Sequence, residues 1–142
     1  MLLLGAIGAA DAQSGHEHAA ASAAAPQSTG QRWATDAPLR SGMHAVRGAV
    51  ADLAHYERGH MGPEQAAQIA TQIEDSIHGI IANCKLAPDA DAALHRIIGP
   101  LLQQAGALKA DPGNLEPIPK MRAALADYAR EFDDPDFAAP AP

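Results

Sequence analysis

Apolar residues recur at alternating intervals of three and four along most of this chain, and this repeat constrains the fold more than any other feature. Such spacing places side chains on one face of an α-helix, whereas a half-buried strand needs alternation at every second residue. The first repeat comprises Leu39, Met43, Val46, Val50 and Leu53. No stretch of comparable length carries a strand pattern. The chain is therefore predicted to be all-α.

Three further repeats follow the first, and turn-forming residues separate them. The second contains Ala66, Ile69, Ala70, Ile73, Ile77, Ile80, Ile81 and Cys84. The third contains Leu94, Ile97, Ile98, Leu101, Ala105 and Leu108, and the fourth contains Ile118, Met121, Leu125, Tyr128 and Phe132. Four amphipathic segments with short connections predict an antiparallel up-down-up-down four-helix bundle over residues 33–137.

Capping residues and prolines mark the predicted helix boundaries. Thr35 or Asp36 suits the N-cap of the first helix, and Pro38 suits its first turn. The second helix is expected to end before Pro88, after which Asp89 or Asp91 caps the third. Pro100 lies inside the third helix, where it predicts a kink or a split at Gly99.

The two ends of the chain have compositions unlike that of the bundle. Residues 1–12 contain a short apolar run and then Ala-Asp-Ala, the cleavage pattern of a signal peptide. No basic residue precedes this run, so we expect the true start to lie upstream. The run is too short to span a bilayer, and no span is expected in the mature form. Residues 13–32 and 138–142 are predicted to be a disordered tether and tail. We expect the protein to be exported to a bacterial periplasm.

Charge and cysteine content narrow the classes of partner. The net charge of -7 disfavours nucleic acid and anionic membranes, and it favours a cation as the small partner. A single cysteine, Cys84, excludes an internal disulfide. Three roles remain open for it: a buried thiol, a metal ligand, or a disulfide that links two chains into a dimer.

One group of side chains is a candidate metal site. The chain reverses direction at two predicted corners, one between the first and second helices and one between the second and third. Counting residues outward from these corners places Met43, His78 and His95 at one height in the bundle. His44 lies beside Met43, and Cys84 lies about a turn and a half nearer the corner. Thioether, imidazole and thiolate groups suit Cu(I), or zinc where sulfur is scarce, and bundle cores are a usual place for metals.

A structural role explains the same residues without a metal. Met43 belongs to an apolar repeat, and His78 and His95 each stand one position off a repeat, so both histidines are free to point outward. His16 and His18 flank Glu17 in the tether and form an auxiliary, weak metal-binding candidate. The chain has no Cys-x-x-Cys-His motif for c-type haem, although haem b held by Met43 and a histidine is a further alternative. A cysteine on a core repeat lacks the exposure that a catalytic nucleophile needs.

Residues 33–43, 84–95 and 132–135 resemble small exported proteobacterial proteins labelled DnrO-like. The resemblance covers roughly residues 33–137, and it implies export and a helical bundle. Members of that family have a histidine-rich segment before the tryptophan, of which residues 16–18 look like a sparse version. Met43, Cys84 and His95 fall inside the matching stretches.

Three functional hypotheses follow. The first is a periplasmic bundle that binds a metal ion, most simply copper, for sequestration or delivery and not for catalysis. The alternative is a non-catalytic bundle that acts as a protein-interaction or stress adaptor with another periplasmic protein and holds no metal. The third is a b-type haem protein.

Overall fold

Each predicted repeat forms one helix in the computed structural model, which describes residues 30–137. The helices are α1 (Ala37–Glu57), α2 (Pro63–Asn83), α3 (Pro88–Ala110) and α4 (Pro117–Glu131). Two short strands flank them, β1 (Trp33–Ala34) and β2 (Phe132–Asp133). The predicted signal peptide, residues 13–29 of the predicted tether and the predicted tail lie outside the described residues.

The apolar repeats meet in one core, and helices that follow one another in the chain pack together. All five residues of the first repeat are fully buried, as are Ile73 and Ile77 of α2. Tyr128 and Phe132 are the largest fully buried side chains. The prediction of an all-α four-helix bundle is confirmed. The up-and-down order of helix directions stays a prediction.

Several details differ from the sequence-based expectations. Ile81 was expected to widen the buried face of α2, but 48% of it is exposed, so that expectation is wrong. Cys84 was expected to continue the buried face near the end of α2, and it lies at that end but is only half-buried. Phe132 is buried as expected, but it belongs to β2, after α4 has ended. Helix α3 continues past Pro100 without a split, and a kink there stays a prediction.

The start of α1 follows the predicted capping pattern. Asp36 is the N-cap, and its Oδ1 accepts a hydrogen bond from the Leu39 amide at 2.9 Å, with Pro38 in the first turn. The expected caps of α3 are displaced, because Ala87 occupies the N-cap position. Asp89 and Asp91 lie instead in the first turn of α3, where a negative charge favours the positive end of the helix dipole.

A parallel pair of two-residue strands joins the beginning and the end of the bundle. Trp33 pairs with Phe132, and Ala34 pairs with Asp133. The Thr35 hydroxyl donates to the Asp133 carbonyl at 2.8 Å and extends this connection. Strands this short carry no alternation that a sequence pattern could reveal. Among residues 30–137, no helix combines the length and the hydropathy needed to cross a membrane.

Candidate functional site

Two neighbouring residues of α1, Met43 and His44, have different surroundings. Met43 is fully buried among the apolar residues of the core. The His44 side chain is 30% exposed, and its Nε2 lies 3.2 Å from Oδ1 of Asp134, beyond the end of α4. Met43 thus packs in the core, whereas His44 contacts a carboxylate.

The two histidines predicted beside Met43 are exposed. His78 lies on the outer surface of α2. His95 Nδ1 lies 2.9 Å from the Asp91 carbonyl and 3.4 Å from Asp91 Oδ2, one turn earlier on α3. Both imidazoles stand one position off the apolar repeats, and that offset turns them toward solvent.

Cys84 is the C-cap of α2, and its amide donates to the Ile80 carbonyl at 2.9 Å. Its side chain is half-buried against the core. Burial raises the pKa of the Cys84 thiol, and the negative charges of Asp36 and Asp91 raise it further. The thiol therefore stays protonated at neutral pH, which disfavours a role as a nucleophile.

The predicted donors do not assemble into one ligand set. Within residues 30–137 there is no group of three or more histidine, cysteine, aspartate or glutamate residues placed to hold a metal ion. His44 and His95 each contact an aspartate, but the first pair joins α1 to the segment after α4, whereas the second lies within α3. The auxiliary candidates, His16 and His18, lie outside the described residues. Metal and haem binding therefore stay predictions.

A groove runs between the first half of α1 and the last part of α2. It has a volume of about 380 Å³ and is lined by Pro38, Ser41, Gly42, Ser76, Gly79, Ile80 and Asn83. None of these side chains is charged. The Ser76 hydroxyl donates to the Gln72 carbonyl and the Asn83 amide to the Gly79 carbonyl, each at 2.8 Å. Because these donors are already used within α2, the lining has few polar groups that require a partner.

Gly42 brings α1 and α2 close together at the floor of this groove. A Cβ atom at this position would lie 2.2 Å from Cγ1 of Ile80 and 2.7 Å from its Cδ1. A larger side chain at position 42 would displace Ile80, so glycine allows the close approach of the two helices. At Gly79, on the groove wall, no atom lies within 4 Å of the corresponding Cβ position, so this wall is open.

A buried polar cluster lies where the chain leaves α4. Asp134 is 3% exposed and is the buried charged residue of the described part of the chain. Its Oδ2 accepts a hydrogen bond from the Tyr128 hydroxyl at 3.1 Å, while its Oδ1 faces His44. Burial, followed by the Asp134 carboxylate, raises the pKa of Tyr128 far above its ordinary range. Tyr128 is thus a permanent hydrogen-bond donor to Asp134.

Aromatic rings surround this cluster. Phe137 contacts His44 and Tyr128 edge-on, with ring centroids 5.6 and 4.8 Å apart, and Tyr128 stacks on Phe132 at 5.1 Å. We call residues 132–137 the C-terminal strap. From its sequence this segment was expected to end the fourth helix, and residues 132–135 belong to the stretches that carry the family resemblance. Composition could have indicated that this segment packs against the bundle, because both phenylalanines of this aromatic-poor chain lie in the strap.

Comparisons of the chain with protein-family models, with curated proteins and with solved structures give no match.

Proposed function

We propose that this protein is a non-catalytic interaction bundle that binds a segment of a partner protein in the groove between α1 and α2. The partner segment presents an apolar side chain to the groove and carries a net positive charge. This proposal extends the adaptor hypothesis by naming the groove as the binding surface and an apolar, positively charged segment as the partner.

The uncharged lining of the groove is the observation that carries the proposal. Its volume of about 380 Å³ falls at the lower end of the range typical of ligand-binding clefts. A phosphate or carboxylate ligand would need a cationic side chain or a free helix N-terminus. The lining offers neither arginine nor lysine, and the N-terminus of α1 beside Pro38 is already capped by the Asp36 carboxylate. A glycine floor with an isoleucine wall suits an aliphatic side chain, and the half-exposed Ile81 follows Ile80 on α2.

The net charge of the protein indicates the sign of the partner's charge. With a net charge of -7, the chain attracts cationic proteins and repels acidic ones over several ångströms of solvent. Such complementarity raises association rates and discriminates between partners more than it adds to affinity. The signal-like residues 1–12 support export, so we propose a periplasmic protein as the partner.

Synthetic amphipathic peptides provide the test. We expect a peptide of leucine and lysine to bind, and to shift the backbone amide resonances of Gly42 and Gly79 in particular. A lysine–serine peptide of equal charge tests the apolar requirement, and a leucine–glutamate peptide tests the charge requirement. Both should bind more weakly than the leucine–lysine peptide.

The variant Gly79→Leu should fill the groove and weaken binding at least about tenfold, a loss expected when an anchor side chain loses its pocket. Gly48→Leu is the matched control, because Gly48 also has no atom within 4 Å of its Cβ position but does not line the groove. Equal peptide affinity in Gly79→Leu and the parent protein would overturn the proposal, as would a preference for the acidic peptide.

A further inference from the structure

We propose that the surface beneath the C-terminal strap is a peptide-binding site distinct from the groove, and that the strap occupies it as a built-in competing ligand. The ligand that this surface accepts from a partner protein is an acidic β-turn with aspartate at its first position and phenylalanine at its fourth. The surface is formed by His44 and Arg47 of α1 and by Tyr128 of α4, and we call it the strap site. None of these three residues lines the groove, so the two proposals are independent.

The strap site lies along the boundary between α1 and α4. These two helices pack against each other sparsely, whereas each pair of consecutive helices packs extensively. At the far end of this boundary Arg122 donates to Glu57, with Nη1 3.0 Å from Oε1. At the near end the strap covers the boundary, and its residues Asp134 and Phe137 are buried there. The two helices are thus joined in part through a segment that belongs to neither of them.

Residues 134–137 form a compact turn within the strap. The Phe137 amide donates to the Asp134 carbonyl at 3.1 Å, which closes a β-turn. Pro135 holds the second position, where its fixed φ favours such a turn. The first and fourth residues of the turn are buried, whereas Pro135 and Asp136 between them are exposed. Because a ligand that is already ordered loses less entropy on binding, a short peptide of this sequence is suited to bind without the rest of the chain.

The strap site contacts the two ends of this turn through different chemistry. The Tyr128 hydroxyl donates to Oδ2 of Asp134 at 3.1 Å, and Nε2 of His44 lies 3.2 Å from Oδ1. The Phe137 ring meets the rings of His44 and Tyr128 edge-on. The Arg47 guanidinium lies 5.4 Å from the centroid of the Phe137 ring. Edge-on ring pairs and a cation near a ring both favour an aromatic side chain over an aliphatic one. The site therefore selects a carboxylate at the first position and a ring at the fourth.

The local charge of the strap site suits an acidic ligand, although the net charge of the chain is -7. Arg40, His44 and Arg47 recur at intervals of four and three, which places them on one face of α1. The strap that lies over this face has aspartate at three of its six positions. At physiological ionic strength the screening length is about 8 Å, so a bound segment responds mainly to the charges beside it.

The strap limits the access of any outside ligand. A ligand that a short segment connects to its own site has an effective concentration in the millimolar range. An outside peptide with the same contacts must therefore reach a similar concentration to displace the strap. Loss of the Asp134 and Phe137 side chains should weaken the strap and make the site available, which is the behaviour of an autoinhibitory segment.

A peptide of sequence Asp-Pro-Asp-Phe with blocked ends tests the proposal. We expect it to bind the whole chain carrying Asp134→Ala and Phe137→Ala at least about tenfold more tightly than it binds the parent protein. Binding should shift the backbone amide resonances of Arg47 and Tyr128. Replacement of the first residue of the peptide by asparagine, or of the fourth by alanine, should each weaken binding about tenfold or more.

The parent protein and a milder variant provide measurements that do not depend on the folding of the double variant. Phe137→Ala alone keeps the Asp134 contacts and should bind the peptide with intermediate affinity. In the parent protein, several millimolar peptide should displace the strap and move the Phe137 amide resonance toward its position in the free peptide. Addition of Gly79→Leu to the double variant should leave peptide binding unchanged, because Gly79 lines the groove.

Three results would overturn the proposal. The first is the absence of resonance shifts in the parent protein and in both strap variants at several millimolar peptide. The second is equal affinity for the peptide that ends in alanine, since the ring would then not be recognised. The third is a dimer of the parent protein that dissociates in the double variant, because the strap site would then bind the strap of a second copy of this chain and not a partner protein.

Discussion

Oδ2 of Asp36 accepts a hydrogen bond from the backbone amide of Lys85 at 2.6 Å, across 49 residues of sequence. Its other oxygen caps α1 through the Leu39 amide. One carboxylate therefore fixes the start of the first helix and the connection between the second and third helices. Because this connection has no regular secondary structure, the contact supplies a hydrogen bond that its backbone would otherwise lack.

Replacement of Asp36 should destabilise the fold by removing both contacts. Asp36→Ala is expected to lower the free energy of unfolding by about 2–4 kcal/mol, the combined effect of a lost N-cap and a lost hydrogen bond to a charged group. Asp36→Asn should cost about 1–2 kcal/mol, because asparagine is also a good N-cap. Urea unfolding measures both values. Asp89→Ala, in the exposed first turn of α3, is the control, and an equal loss there would contradict the double role of Asp36.

Gly42 and Gly48 lie in the same helix but should respond oppositely to alanine. Gly42→Ala places a methyl group against Ile80 and should destabilise the protein by about 1–2 kcal/mol after the gain in helix propensity. Gly48→Ala meets no neighbour and should stabilise it by about 0.5–1 kcal/mol. The double variant Gly42→Ala with Ile80→Ala should show a coupling that relieves the clash. Additive effects would rule out the contact as the cause.

The core was predictable from sequence because helical periodicity decides which side chains face inward. Every residue of the first repeat is buried, from Leu39 to Leu53. Ile81 was misjudged because it follows Ile80, and two consecutive residues of a helix point about 100° apart. In that direction no part of residues 30–137 covers the second isoleucine, which is 48% exposed.

The donor set was not predictable by the same means. Counting from the corners gives the height of a residue in the bundle. The direction of its side chain depends on the rotation of the helix about its own axis, which the count does not give. His78 and His95 lie off the apolar repeats, and the structure exposes both. The His44–Asp134 contact joins residues 90 positions apart through a segment without periodicity, so no local pattern indicates it.

The copper hypothesis makes a prediction that binding experiments can decide. It requires stoichiometric Cu(I) binding with a raised melting temperature, lost in both Cys84→Ser and His95→Ala. The arrangement of the side chains favours a different outcome, because Met43 is buried and His95 is exposed on α3. We expect His95→Ala to change Cu(I) affinity less than threefold, roughly the limit of a resolvable effect.

Competition with a chromophoric Cu(I) chelator measures this affinity. The variant that replaces both His16 and His18 with alanine is the control for binding outside the bundle. A loss of tenfold or more in both Cys84→Ser and His95→Ala, about 1.4 kcal/mol each, would restore the shared site of the sequence-based hypothesis.

Cys84 should react slowly with alkylating reagents, because its raised pKa keeps the thiolate population low at neutral pH. Its rate of reaction with iodoacetamide should reach half its maximum at a pH above the ordinary value of 9.0. Asp91→Asn removes one of the charges that raise the pKa and should shift this midpoint downward. Asp89→Asn, in the same helical turn, is the matched control. Unchanged midpoints in both variants would leave burial and the charge of Asp36 as the causes of the raised pKa. Slow alkylation also predicts slow formation of a disulfide-linked dimer.

Tyr128 should make the protein sensitive to alkaline pH. Its pKa is raised in the folded state, so the stabilisation is complete below the unfolded pKa of about 10 and is lost as pH rises above that value. From that point the free energy of unfolding should fall by about 1.4 kcal/mol per pH unit on account of Tyr128 alone. Tyr128→Phe should lack this component, and at neutral pH it should be less stable by about 1–3 kcal/mol because Asp134 loses a donor.

Tyr56→Phe is the matched control for this prediction, since it also removes a phenol that donates a hydrogen bond, to the Pro112 carbonyl at 2.6 Å. Denaturant unfolding at a series of alkaline pH values separates the two tyrosines. The steep fall should persist in Tyr56→Phe and disappear in Tyr128→Phe. If both variants kept the slope of the parent protein, the buried contact between Tyr128 and Asp134 could not be the source of the alkaline loss. The strap would then be held by the His44 contact and by ring packing.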